Sequence, residues 1–161
     1  MNLLPDLITD RTAADVDEAC RLHAKFRANR PLTPTERAAW LAGLRGCYNV
    51  SDMNRVALGA NALAAAMAAA GYAPSPYTPL PETRSSSEFV PCSEFVLYLE
   101  SIQSLRAAGL RRADTPPVPE AGAQWFDYRG ANAVERILVD IESALDSLPY
   151  GWCYCGETEL E

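Results

Sequence analysis

Apolar residues recur at helical spacing in five stretches of the chain, and the longest stretch lies within residues 46–72. Its apolar stripe consists of residues three and four apart: Met53, Val56, Ala57, Ala60, Leu63, Ala64 and Met67. Ser51 can cap this helix, and Gly71 is typical of a helix end. The opposite face carries small side chains, which let a second helix or subunit approach closely: Ala62, Ala65, Ala66, Ala68 and Ala69. We expect this helix to be the central element of the fold.

The first helix is predicted over residues 12–28, with Thr9 or Asp10 as its cap. Its expected buried face consists of Val16, Ala19, Cys20, His23 and Phe26. His23 is the only histidine of the chain, and on this face we expect it to be a hydrogen-bonded core or boundary residue. A catalytic histidine would need partners that the sequence does not supply.

The second helix begins at residues 33–36 with a capping box that has proline in the first turn, and it is expected to end near Gly46. Trp40, Leu41 and Leu44 share one side of this helix, and we expect Trp40 to lie in the core. A short connection leads to the central helix, so the second and third helices are predicted to form a hairpin.

Proline shapes the middle of the chain. Residues 73–91 are rich in proline and contain three consecutive serines, so they neither continue a helix nor alternate like a strand. We expect a long surface loop there, and a disordered linker and a partner-contacting segment are equal alternatives for it. A fourth helix is predicted from Pro91 or Ser93 to Gly109, followed by a second proline-rich loop at residues 114–119.

The last helix is the most periodic of the chain and is predicted from Asp127 or Tyr128 to Pro149. Its apolar stripe consists of Val134, Ile137, Leu138, Ile141, Leu145 and Leu148. Residues 150–161 form a tail that is first aromatic and then acidic. The aromatic part is expected to fold back on the helices or to add to another chain as a short strand, and the acidic end to fray.

These patterns predict an all-α fold: a bundle of about five helices with two long proline-rich loops and a short aromatic tail that could add a strand. The length suits a single helical domain, residues 1–161. Within it we distinguish a first helical part (9–72), the proline- and serine-rich loop (73–91), a second helical part (92–149) and the tail (150–161).

Composition excludes several classes of function. The formal net charge of −7 argues against nucleic-acid binding, for which a basic stripe is expected. No apolar run approaches the length of a membrane span, and the opening residues lack the features of a signal peptide. Five cysteines are an odd number and favour reduced thiols. Cys153 and Cys155 are too closely spaced for a zinc knuckle, so we expect no metal.

A search for catalytic motifs finds no phosphate loop, nucleophile elbow, zinc-protease helix or calcium loop. Asp140 with Glu142, and Asp15 with Asp17, point to different sides of their helices. We interpret both pairs as parts of solvated faces. No catalytic residue and no cofactor site is therefore predicted.

Two asparagines near the starts of apolar helices, Asn54 and Asn132, are interpreted as structural polar residues. An amide in such a position often bonds backbone groups where helices meet, and we expect that role for both. Glu135, in the next turn after Asn132, could join such a network or face water.

Several phrases of the sequence resemble a module of minor structural proteins from bacteriophages and prophages of Gram-positive gut bacteria. They are residues 7–16 (LITDRTAADV), 40–49 (WLAGLRGCYN), 51–56 (SDMNRV), 130–138 (GANAVERIL) and the closing segment 152–157. The resemblance covers nearly the whole chain, and the matching phrases follow one another in the same order as in the family. It implies no catalytic residues. The chain departs from the family pattern in its alanine-rich third helix and its Cys-Tyr-Cys tail.

The resemblance implies a virion structural protein: a helical adaptor or assembly module of the tail, baseplate or fibre apparatus, made in the host cytoplasm. Its expected partners are other phage structural proteins and copies of itself, with neither nucleic acid nor membrane insertion. Aromatic residues of the loops and tail are the candidate partner contacts: Tyr77, Phe89, Trp125, Trp152 and Tyr154.

Two alternatives remain. A small acidic phage-encoded intracellular protein could bind and modulate a host protein, since an acidic surface suits a basic partner or mimics nucleic acid. An enzyme with Cys153 or Cys155 as nucleophile would need a lowered thiol pKa and a nearby base, and His23 is far away in sequence. We expect the protein not to be an enzyme.

Overall fold

The structure is a computed structural model that describes residues 3–85, 90–120 and 126–150. The described part contains five α-helices and a short 3-10 turn, and no strand: α1 Ala13–Arg27, α2 Pro34–Ala42, α3 Val50–Ala69, α4 Cys92–Ala107, α5 Tyr128–Ser147 and the turn Leu148–Tyr150. The prediction of an all-α fold is confirmed. The suggested strand in the tail falls on residues 151–161, which lie outside the described ranges.

Polar side chains cap the first three helices. Thr33 forms the predicted capping box at the start of α2, with Pro34 at the first helical position. Thr12 caps α1 in the same way, where we expected Thr9 or Asp10. At α3 the cap is Asn49 and not Ser51, because the Asn49 side chain accepts hydrogen bonds from the following backbone amides and α3 begins two residues earlier than a cap at Ser51 would place it.

Glycines in the left-handed region mark where helices end. Gly43 has a φ of 89° and terminates α2 at Ala42, so the expected end near Gly46 is wrong. Gly71 and Gly109 have φ values of 86° and 95° and follow α3 and α4 at the predicted places. Local glycine geometry thus decides the length of three helices.

The core is built by three of the five helices, because α3, α4 and α5 contact one another pairwise. Their fully buried side chains include Val56, Leu63, Met67, Ile102, Leu105, Val134, Ile137, Leu138 and Ile141. No residue of α1 or α2 belongs to this core cluster. These two helices form a separate hairpin beside the three-helix core.

The predicted inner face of α1 is partly wrong. Only Ala19 and Leu22 are buried in this helix. Leu22 turns inward as a large aliphatic side chain, and this orientation leaves Cys20 and His23 exposed. Phe26 is also exposed, and no residue of α2 is buried. The hairpin therefore contributes little to the core.

The N-terminal segment, residues 3–12, lies along α5 and is held by side chains of that helix. Asn132 accepts a hydrogen bond from the Arg11 amide at 3.0 Å and donates one to the Arg11 carbonyl at 2.9 Å. Glu135 accepts from the Ile8 amide, and Glu142 accepts from the Leu3 amide at 2.6 Å. These bonds satisfy backbone groups that no secondary structure would otherwise pair.

The first proline-rich loop is fastened to α3 and α4 in the same manner. Asn54 exchanges two hydrogen bonds of 2.9 Å with the backbone of Arg84. Asn61 does so with the backbone of Leu80, and the Ser101 hydroxyl donates to the Thr78 carbonyl at 2.9 Å. Residues 77–84 are therefore docked on the helices through defined contacts.

The second proline-rich loop is held by a carboxylate that we expected to be solvated. Asp140 is buried and accepts a hydrogen bond from the Thr115 hydroxyl at 2.9 Å and one from Arg136 at 2.8 Å. Arg106 donates to the Pro116 carbonyl at 2.7 Å. The interpretation of Asp140 and Glu142 as parts of a solvated face is wrong, because both carboxylates bond to segments distant in sequence.

A buried ion network joins the N-terminal segment to α3 and α5. The Arg11 guanidinium lies 3.0 Å from Asp52 and 2.7 Å from Glu135, and all three residues are buried. Arg55 contacts the same two carboxylates at 2.6 Å and 3.3 Å. Two arginines thus balance two carboxylates, which is the arrangement that buried charges require.

Candidate interaction surface

An exposed apolar surface lies on the α1–α2 hairpin. The Phe26 and Trp40 rings stack with their centroids 5.2 Å apart, and the His23 ring lies 5.9 Å from Trp40. Phe26 is 59% exposed and Leu41, next to Trp40, is 77% exposed. Trp40 is half-buried, so its predicted position in the core is wrong. Large apolar side chains held together at a surface mark contact sites for other molecules.

A groove of about 780 Å³ continues this surface toward the core. Trp40 and Leu41 form one wall of the groove. Met53, Phe95 and Phe126 line its other side. The aromatic walls are fixed by ring contacts, since Phe95 and Phe126 meet edge to face with their centroids 4.9 Å apart. The groove is therefore a preformed apolar depression with an exposed apolar rim.

The second half of α1, the following loop and α2 form a basic stretch in an acidic chain, whereas the first half of α1 carries three acidic residues. Residues 20–41 contain five of the 14 basic residues and one of the 21 acidic residues. Arg27, Arg30 and Arg37 are exposed and have no ion-pair partner within the described residues. Arg37 lies one turn before Trp40 and Leu41 on α2. We call the set Phe26, Arg27, Arg30, Arg37, Trp40 and Leu41 the hairpin surface.

Glu36, the one acidic residue within residues 20–41, holds the two helices of the hairpin together. Glu36 on α2 bonds Lys25 at 2.6 Å and Arg21 at 2.7 Å, both on α1. The Lys25 ammonium, aided by the Thr33 amide and Arg21, lowers the pKa of Glu36 to about 2. The carboxylate is therefore charged at neutral pH and fixes the mutual position of α1 and α2.

The hairpin is attached to the rest of the fold at a close backbone contact. A Cβ atom added at Gly46 would lie 2.0 Å from the Asp15 carbonyl oxygen, so only glycine fits there. Arg45 pairs with Asp10 and lies 3.7 Å from the Asp15 carboxylate. The start of α1 thus rests directly on the connection that leads to α3.

Of the five candidate partner contacts, the structure describes one. Tyr77 is half-buried and donates a hydrogen bond to the Asn61 side chain at 2.7 Å, and burial raises its pKa to about 12. Its hydroxyl is part of the contact that fastens the first proline-rich loop. The other four, Phe89, Trp125, Trp152 and Tyr154, lie outside the described residues.

Both predicted structural asparagines bond backbone groups, Asn54 at Arg84 and Asn132 at Arg11. Arg84 lies in the first proline-rich loop, and Arg11 directly precedes Thr12, the cap of α1. Sequence reasoning missed Asn61, whose signal would have been its position two turns after Asn54 on the same helix. It also missed the hairpin surface, for which the clustered arginines around Trp40 were the available signal.

Within the described ranges, the thiols and charged side chains form no metal site. Cys20, Cys47 and Cys92 are free, and the described ranges hold no group of three potential ligands that could bind a metal ion. Cys153 and Cys155 lie beyond the described residues. Among the described helices, none combines the length and apolar character that crossing a membrane requires.

Comparisons of the chain with protein-family models, with curated proteins and with solved structures gave no match.

Proposed function

We propose that this protein is a structural assembly module of a bacteriophage virion that binds a neighbouring protein through its hairpin surface. The observation that carries the proposal is the exposure of Leu41 and Phe26 beside Trp40, next to an apolar groove of about 780 Å³. The sequence resemblance to phage minor structural proteins supports the virion as its location.

A partner that covers these side chains removes their apolar surface from water, which stabilises the complex. Covering exposed apolar surface contributes roughly 25 cal/mol per Å² that is removed from water. Aromatic residues and arginine are enriched among the interface residues that contribute most of the binding energy. The hairpin surface combines both residue types. Since Phe26, Trp40 and Leu41 contribute nothing to the core cluster, their apolar surface remains available for a partner.

Particle composition tests this proposal. Phage particles are purified from cells that encode the chain, and mass spectrometry measures whether the chain is present. We expect the natural chain and a Leu97→Asp control to be incorporated, because Leu97 is a 52% exposed leucine on α4, outside the hairpin surface. Leu41→Asp should reduce incorporation at least about tenfold, because it places a charge in the apolar contact. Particles without the natural chain would refute the virion role.

A phage-encoded intracellular protein that binds a host protein is the second candidate. The net charge of −7, with 20 of the 21 acidic residues outside residues 20–41, favours it because an acidic surface attracts a basic partner. Reproducible recovery of one host protein with the tagged chain, together with its absence from particles, would favour this function over the first.

A further inference from the structure

We propose that the hairpin surface binds the C-terminal residues 151–161 of a second copy of this chain, so that copies join head to tail. This inference rests on the proposed assembly function and names one partner within it. The segment contains Trp152 and Tyr154 and then three glutamates, and it has no basic residue. Its order of aromatic and acidic residues suits a surface that combines an apolar groove with arginines.

Charge complementarity is the first argument. Arg27, Arg30 and Arg37 are exposed and have no ion-pair partner in the described part of the chain. They belong to a stretch with a large basic excess, whereas the chain as a whole carries −7. A segment with three carboxylates and no positive charge therefore gains favourable contacts at these arginines.

The apolar contacts supply the second argument. The groove beside Trp40 and Leu41 is walled by Phe95 and Phe126, which offer ring faces and edges to an aromatic side chain. Trp152 and Tyr154 are two residues apart, so in an extended segment both side chains would face the same side and could approach one apolar surface. Trp and Tyr contribute more contact area than other residues at such sites.

The geometry assigns the tail to another copy. The groove lies at the beginning of α5, where Phe126 lines it, and the tail leaves from the opposite end of that helix. A helix of 20 residues is about 30 Å long. Tyr154 lies four residues beyond Tyr150 and can reach at most about 14 Å from it. The aromatic residues of the tail therefore fall short of the groove of their own chain.

Binding of one copy's tail to the hairpin of the next joins two different surfaces. Such a heterologous contact leaves a free tail at one end and a free hairpin at the other. Repetition gives a closed ring if the rotation between copies closes, and an open filament if it does not. The expected product is a series of complexes whose average mass rises with protein concentration.

Two charge-reversal variants of the full chain test the contact. The hairpin variant carries Arg30→Glu and Arg37→Glu, and the tail variant carries Glu157→Arg and Glu159→Arg. A matched control with Arg111→Glu and Arg112→Glu makes the same charge change at two exposed arginines between α4 and the second proline-rich loop. Sedimentation equilibrium measures the mass of each protein, and circular dichroism checks that its helix content is unchanged.

We expect the natural chain and the control to associate, with dissociation constants that rise at least about tenfold between about 50 mM and about 500 mM salt. Each reversal variant alone should be monomeric, because its hairpin and tail then have the same sign of charge. An equimolar mixture should associate again, because the hairpin variant keeps an acidic tail and the tail variant keeps a basic hairpin.

Three results would overturn the inference: a natural chain that stays monomeric at all concentrations, a mixture that fails to restore association, or a control that loses association to the same extent. None of these results bears on whether the chain is present in phage particles, so the mass-spectrometric test of the proposed function remains independent. Association without presence in particles would refute the virion role and keep the tail contact.

Discussion

Asn61 on α3 exchanges two hydrogen bonds with the backbone of Leu80, one of 2.8 Å to its carbonyl and one of 2.9 Å from its amide. The Asn61 side chain also accepts a bond from the Tyr77 hydroxyl and donates one to the Glu82 carboxylate, so four polar groups of the first proline-rich loop meet at one amide. Leu80 is buried beside this contact. A loop rich in proline cannot pair its backbone regularly, and Asn61 supplies the missing partner.

Replacing Asn61 by alanine should therefore lower the free energy of unfolding by roughly 1–3 kcal/mol, because it leaves the Leu80 amide and carbonyl without partners. Urea denaturation followed by circular dichroism measures the change. Gln103→Ala is the matched control, since Gln103 is an exposed amide on α4 and should change stability by less than about 0.5 kcal/mol. Equal stability of the two variants would contradict this role for Asn61.

The sequence predicts correctly those features that depend on residues close together in the chain. The stripe of α5 and the capping box at Thr33 depend on residues three and four apart, so the helices were predicted with small errors at their ends. The partners of Asn61 and Asn132 lie 19 and 121 residues away, and no local pattern indicates such contacts. Asn54 was predicted to bond backbone from its position near a helix start, but its partner segment was not.

The positions of Asp140 and Trp40 were predicted wrongly for a related reason. Asp140 was expected at the surface because helix patterns place charged residues toward water, but its bonds to Thr115 and Arg136 satisfy its carboxylate in a buried position. Trp40 was expected in the core because large apolar residues are usually buried. The hairpin surface breaks this rule, and a site for binding a partner is where such a departure is expected.

Glu135→Gln should lower the free energy of unfolding by roughly 3–5 kcal/mol. Glutamine keeps an acceptor for the Ile8 amide, but it removes the negative charge that lies 2.7 Å from the Arg11 guanidinium. Arg11 would then stay buried with Asp52 as its one carboxylate partner.

Chemical denaturation compares this variant with Glu100→Gln, which changes an exposed carboxylate on α4 in the same way. The control should unfold like the natural protein. If both variants unfold at the same denaturant concentration, the buried network contributes no more than a surface charge.

Gly46→Ala should displace the hairpin and leave the three-helix core folded. The added methyl group would collide with the Asp15 carbonyl, and overpacking of this kind costs about 1–3 kcal/mol. Hydrogen exchange should show faster exchange of α1 and α2 amides and unchanged protection in α3, α4 and α5.

Gly71→Ala is the matched glycine control. Gly71 has a φ of 86° and nothing within 4 Å of an added Cβ, so its substitution strains the end of α3 without touching the hairpin. Slower exchange in α1, or an equal effect of both substitutions on α1, would contradict the proposed attachment at Gly46.

Ionisation of Tyr77 should make the protein less stable at alkaline pH. Burial raises the pKa of Tyr77 from 10.0 to about 12 in the folded state, so the folded form holds its proton more tightly than the unfolded form. The stabilisation from this group is complete below pH 10 and is lost as the pH rises to about 12.

Urea denaturation at a series of pH values between these limits measures the loss for the natural chain and for Tyr77→Phe. Burial also raises the pKa of Tyr48 and Tyr98 well above the ordinary value, and both remain in the variant. The natural chain should therefore lose more stability than the variant over this interval. Parallel pH profiles would show that Tyr77 ionises equally easily in both states.

The position of residues 3–12 on α5 has a consequence for the order in which the chain can fold during synthesis. These residues leave the ribosome before α5, yet the side chains that bind them belong to Asn132, Glu135 and Glu142, between 121 and 139 residues later. Loops of this length close late, because their chain entropy is lost before any contact forms. The segment is thus made well before it can be placed, and Leu3, Leu4 and Leu7 stay uncovered until α5 has been translated.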